Sequence, residues 1–145
     1  MVTRSWIAAA LGIGALAQPV SSLEAAVQLP IAQGVWVKTA TSCASATNVY
    51  VHKGNRFGSV YFYGPNHSMG PADETELVVS TSRGKDGYTT INEGPIEVGA
   101  RLKGQASVRA YSLSQGPQWT ETVRLCPAAT LSSKLRGALM RLKLI

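Results

Sequence analysis

The sequence is poor in the residues from which compact catalytic and metal centres are built. Two histidines, His52 and His67, and two widely separated cysteines, Cys43 and Cys126, are the whole supply. No Cys-x-x-Cys pair occurs, so neither a thiol redox motif nor a recurrent zinc pattern can be drawn. Gly-x-Ser-x-Gly is missing, and with two imidazoles a Ser-His-Asp grouping has no local signal. His67, Asp73 and Glu74 match no recurrent ligand spacing, and the same acidic stretch is where paired carboxylates for glycoside hydrolysis would have to come from. No catalytic residue, metal or cofactor is expected. Repeats and low-complexity tracts are also absent. No apolar run reaches the roughly 20 residues that a bilayer span needs, and nothing between the extended runs is long enough for the crossover helix of a parallel sheet.

What is present begins with a targeting pattern. Met1-Val2-Thr3-Arg4-Ser5 carries one basic side chain, residues 6–16 are uncharged and almost wholly apolar, and Ala15-Leu16-Ala17 supplies a small-x-small cleavage pattern. Residues 1–17 therefore read as a cleavable signal peptide, with Gln18 opening the mature chain. The competing reading, a retained anchor, suits the short run and its Gly12 and Gly14 less well. A periplasmic or extracellular location follows, and in that oxidising setting Cys43 and Cys126 are expected to pair. Removing the leader takes away Arg4 alone and lowers the net charge from +6 to +5. Such a balance suits an anionic envelope surface or simple solubility. Export argues against nucleic acid, and Val60-Tyr61-Phe62-Tyr63 is a poor stacking platform because consecutive aromatics on a strand point to opposite faces.

Residues 18–33, punctuated by Pro19 and Pro30, read as an extended lead-in. Residues 34–126 then show short β-branched and aromatic runs at 34–40, 48–53, 56–63, 76–81, 88–92, 96–103, 106–113 and 118–125. Between them stand reversals such as Lys53-Gly54-Asn55, Lys103-Gly104-Gln105 and Gln115-Gly116-Pro117. The pattern predicts an all-β domain of about eight antiparallel strands, an up-and-down barrel or curled sheet. Alternation sets Trp36 and Lys38 opposite Val35 and Val37, and Val108 and Ala110 opposite Arg109 and Tyr111, as if one face were covered and the other wet. The connection 64–75 is the one long loop, either functional or a surface excursion. In 127–145 the period becomes helical: Leu131, Leu135, Ala138, Leu139 and Leu142 share a face behind a Thr130 or Ser132 cap, flanked by Lys134, Arg136, Arg141 and Lys143. This short basic amphipathic helix either docks its leucines on the barrel or makes peripheral contact with an anionic membrane surface.

Gly34-Val35-Trp36, at the start of the first strand, resembles the Gly-x-Trp that opens the barrel of the calycins, the lipocalins and avidins among them. The resemblance implies that Trp36 closes one end of a barrel and that Arg124, near the last strand, lies across its indole. It also implies a non-enzymatic carrier, since eight strands can enclose one small apolar or amphipathic molecule. Phe62, Tyr63, His67 and Met69 are the residues expected to meet such a ligand. An interior filled by Phe62, Tyr63, Val79, Ile91 and Val108 would leave no room. The chain also resembles the bacterial metalloprotease inhibitors, small periplasmic barrels with a Gly-x-Trp and a disulfide. That likeness implies a protein partner, with the lead-in entering a protease cleft; an envelope interaction protein belongs to the same class.

Overall fold

Glycine reversals and β-branched runs fold into a single antiparallel sheet of nine strands in the computed structural model, which describes residues 27–145. Residues 1–17, expected to be a signal peptide, and the first part of the expected lead-in, 18–26, lie outside the described residues. The strands are β1 Gly34–Lys38, β2 Asn48–Lys53, β3 Arg56–Tyr63, β4 Met69–Leu77, β5 Thr81–Arg83, β6 Tyr88–Ile91, β7 Ile96–Ala100, β8 Gln105–Ser112 and β9 Gly116–Cys126. Their order, β4-β3-β2-β1-β9-β8-β7-β6-β5, is a meander whose first and last strands pair. The result is a curled half-barrel with a helix α1, Ser133–Arg141, behind it.

The count differs from eight for a definite reason. The run 76–81 straddles β4 and β5, which follow one another along the chain and, as first and ninth of nine alternating strands, point the same way. Residues 78–80 bridge them, with the Val78 amide donating to Asn55 O (2.7 Å) and the Asn92 amide to Ser80 O (2.9 Å). One continuous path thus pairs first with β3 and then with β6. The connection 64–75 is correspondingly not a loop: after a short 3-10 turn at Pro65–His67 it becomes most of β4, in register with β3 from Arg56↔Leu77 to Tyr61↔Ala72. Gly58 allows the close approach, since a Cβ there would lie 2.6 Å from Thr75 Cα.

Both faces of the sheet are covered at β1, contrary to the one-wet-face expectation. On the concave side Trp36, Tyr50, Phe57, Ile91, Val98, Ala106, Val108 and Val123 meet in one cluster. Contact between strands so far apart in the order requires the sheet to curl around them. The end of the lead-in joins this cluster. Leu29 and Ile31 are buried in it, Trp36 Nε1 donates to Ala32 O (3.0 Å), and His52 Nδ1 lies 3.1 Å from Ile31 O, which makes that nitrogen the donor. On the convex side Val35, Val37, Val49, Val51, Val60 and Phe62 receive Leu131, Leu135, Ala138 and Leu139. Ser132 caps α1 by accepting from the Leu135 amide, a contact of about 1 kcal/mol. The leucine face of the helix is therefore docked on the sheet, each leucine contributing about 2 kcal/mol by burial.

Cys43 and Cys126 form the expected disulfide, with Cα atoms 5.9 Å apart. The expected contact between Trp36 and Arg124 is absent. β1 and β9 pair, and Trp36 is buried, but the register sets Trp36 opposite Leu125 and Val37 opposite Arg124. Paired residues share a face, so Arg124 lies on the convex side, away from the indole. Its guanidinium instead donates to Thr39 O (3.2 Å) and Thr41 O, holding the turn after β1. Gly34 has its own reason to be glycine: its φ is +139°, and a Cβ would sit 2.6 Å from Leu125 Cδ1.

Where the helix does not reach, the convex face of β6–β8 carries a buried ion cluster. Arg109 bonds through Nε to Glu97 and through Nη2 to Asp86 (2.5 Å), and its guanidinium lies 3.6 Å from the centre of the Tyr88 ring. Thr90 donates to the other Glu97 oxygen at 2.9 Å, and the Tyr88 hydroxyl meets Ser107 at 2.8 Å. Burial works to lower the Arg109 pKa, but the bonds to Glu97 and Asp86 outweigh it and hold the group above its ordinary value. The bond from Arg109, followed by that from the Tyr88 amide, holds Asp86 below the usual carboxylate range.

Four outcomes are expected from these contacts. Replacing both cysteines by serine removes a bridge across 83 positions and lowers unfolding stability by about 4 to 5 kcal/mol in the chain-entropy model, measurable by denaturant titration. Arg109→Ala strands the buried Glu97 carboxylate and costs about 3 to 5 kcal/mol. Arg109→Ala with Glu97→Ala costs less than the two singles added, which a double-mutant cycle reads directly. Because the folded Asp86 pKa is depressed, its stabilisation is present above the unfolded value of 3.8 and lost as pH falls through the folded one. Asp86→Asn should therefore flatten part of the acid limb of a melting-temperature profile below about pH 4 while leaving its shape near neutrality unchanged.

Candidate functional site

The four residues singled out as ligand contacts do not share an interior site. Phe62 is buried on the convex side beneath α1, with Lys134 Nζ 4.3 Å from its ring centre. His67, in the 3-10 turn after β3, has Nδ1 3.2 Å from Phe62 O, while Lys134 donates to His67 O at 2.6 Å. Tyr63 and Met69 pair across the β3–β4 ladder and are about half exposed. Phe62, His67 and Lys134 therefore tie the helix to the sheet. Val79 is exposed in the bridge between β4 and β5; of the side chains named as possible filling, Ile91 and Val108 occupy the concave core.

A different constellation forms on the concave side, between β3–β4 and β6, β7 and β9. There a cavity of about 170 Å³ is lined by Tyr50, Phe57, Gly58, Ser59, Glu74, Glu76, Ile91, Ile96 and Trp119. Its floor is apolar: Tyr50 and Phe57 stack with ring centres 6.1 Å apart and planes within 3°, and Ile91 is buried beside them. Trp119 stands opposite Ala110 and is 41% exposed, so its indole forms a wall with a free side. An enclosed space of about 150 Å³ holds one benzene, and ligand pockets for drug-sized molecules begin near 300 Å³. The cavity therefore suits an apolar group about the size of one aromatic ring.

The rim is polar. Glu76 pairs with Phe57 and Glu74 with Ser59, which turns both carboxylates to the concave side. Glu74 accepts from Tyr61 Oη (2.8 Å) and Ser59 Oγ (3.1 Å). Behind Tyr50, Glu121 accepts from the Tyr50 hydroxyl at 2.8 Å and pairs with Lys38 Nζ at 2.6 Å. Burial, then the hydrogen bond to Glu121, pushes the Tyr50 pKa far up, and the bond to Glu74 raises that of Tyr61. Both phenols thus stay neutral donors to carboxylates. Among the described residues no group of three or more His, Cys, Asp and Glu side chains converges as a metal centre requires.

Trp119, Tyr50, Glu74 and Glu76 escape a sequence reading because alternation ordinarily turns acidic residues outward. The available signal is Asp73-Glu74-Thr75-Glu76 read as a strand, which sends Glu74 and Glu76 to one face and Asp73 and Thr75 to the other. Comparison with known proteins finds no matching family model, no matching curated protein and no matching solved structure.

Proposed function

We propose that this chain is an exported, non-enzymatic binding protein that holds a small apolar or amphipathic ligand in the mouth of its half-barrel. The observation that carries the reading is the cavity itself: an aromatic floor, a half-free indole and inward-turned carboxylates, beside the packed cluster of Trp36, Val98, Val108 and Val123. Apolar walls with a few placed polar groups are the usual make-up of a small-molecule site. The leader pattern of 1–17 and the disulfide support export. A meander in which Gly34-Val35-Trp36 opens β1 and β1 closes on β9 supports the calycin-like reading; the place of Arg124 does not.

A second reading, a protein-binding module, draws support from the outer edge of β4, which no strand pairs among the described residues, and from exposed Leu77 and Val79 beside it. The protease-inhibitor version loses support, because the described part of the lead-in packs into its own sheet.

Titration of the full mature chain with one-ring aromatic compounds, followed by calorimetry, tests the first reading. Saturable binding is expected, weakened about tenfold or more by Trp119→Ala. As a half-exposed residue, Trp119 should change stability by less than about 1 kcal/mol on removal. Absence of binding, together with a stoichiometric protein recovered from periplasm or medium, would replace the first reading with the second.

A further inference from the structure

We propose that the ligand of this cavity is a small organic cation, an ammonium borne on an apolar group about the size of one aromatic ring. The inference rests on the reading of the cavity above and adds the sign of the charge. The cavity and its aromatic walls set the size and the apolar part of the ligand. The sign comes from which carboxylates are already answered. Glu121 has an ammonium partner in Lys38. Glu74 has two hydroxyl donors but no cation, and Glu76 has neither a hydrogen bond nor an ion pair among the described residues. The lining thus carries two carboxylates and no lysine or arginine, in a chain whose total is +6. The mean field of such a chain attracts anions, so the mouth reverses the sign that composition supplies.

An organic cation answers both halves of this lining. Its ammonium meets the unpaired Glu76 carboxylate, and its apolar part enters over Phe57 and Tyr50 with the Trp119 indole alongside. Indole is the best of the aromatic faces for a cation within about 6 Å of its centre. A bare metal ion answers neither half, since the carboxylates do not converge and the walls are carbon. An anion of the same size would lie against Glu74 and Glu76, and the lining holds no lysine or arginine to meet it.

A matched series separates size from charge. 2-Phenylethylammonium, 2-phenylethanol and 3-phenylpropionate share a ring and differ in charge. Each is titrated calorimetrically at low ionic strength into the full mature chain, into Glu76→Gln, and into Glu93→Gln, a carboxylate in the β6–β7 turn outside the lining. The ammonium should bind about tenfold tighter than the alcohol, and the carboxylate weakest. Glu76→Gln should shrink the ammonium preference to about threefold or less, Glu93→Gln should leave it intact, and raising the ionic strength toward 1 M, where screening acts over about 3 Å, should narrow it. Equal affinities across the series overturn the charge assignment while leaving the cavity as a binding site. Equal losses in the two Glu→Gln variants overturn it as well, because they would make the preference a property of the whole field. Failure of all three compounds to bind overturns this inference and the reading beneath it together.

Discussion

The single sheet and its common core depend on the ladder between β1 and β9. It joins strands from opposite ends of the sheet-forming chain, so that two successive meanders, β1 to β4 and β5 to β9, become one sheet rather than two. Only then do Phe57 on β3 and Ile91 on β6 meet in a common core. The same ladder puts Val35 beside Cys126 and brings Arg124 to the carbonyls of the turn after β1. Contacts so distant in sequence carry a large loop-closure cost, which the packing they enable must exceed.

The sheet is covered by three unlike materials. Apolar helix packing protects the convex side of β1 to β3, a segment of extended chain fills part of the concave side, and a buried guanidinium between two carboxylates and a tyrosine ring occupies the convex side of β6 to β8. The third adds less net stability than apolar packing would, since its charges lose their hydration. What it contributes is orientation: the β5–β6 turn carrying Asp86 and the strands carrying Glu97 and Arg109 each satisfy a fixed hydrogen-bond direction. The cavity lies where none of the three coverings extends.

Much of this was legible in the sequence. β2 and β3 coincide with the predicted runs because Lys53-Gly54-Asn55 fixes the hairpin between them, and Gly54 adopts the positive φ that such a reversal needs. The helix was legible from its leucine spacing and the Ser132 cap. β4 was not, because Met69-Gly70-Pro71-Ala72 followed by acidic residues has the composition of a loop; it is a strand because β3 offers a free edge in register. The face of Arg124 follows from strand parity once a register is known: Cys126 lies opposite Val35, so Arg124, two residues earlier, shares the Val35 side and not that of Trp36. The mouth was the least legible, since it joins residues of six strands and no one segment carries its pattern.

The position of Cys126 in that ladder gives the disulfide a second role. A slip of one residue between β1 and β9 would exchange the faces of every side chain in β9, carrying Cys126 from the helix side to the barrel interior and out of reach of Cys43. Oxidation can therefore seal the in-register chain and not its nearest mispaired competitor. The covalent bond acts as a proofreader of strand alignment, converting a choice of register that hydrogen bonds alone leave reversible into one the folded protein keeps.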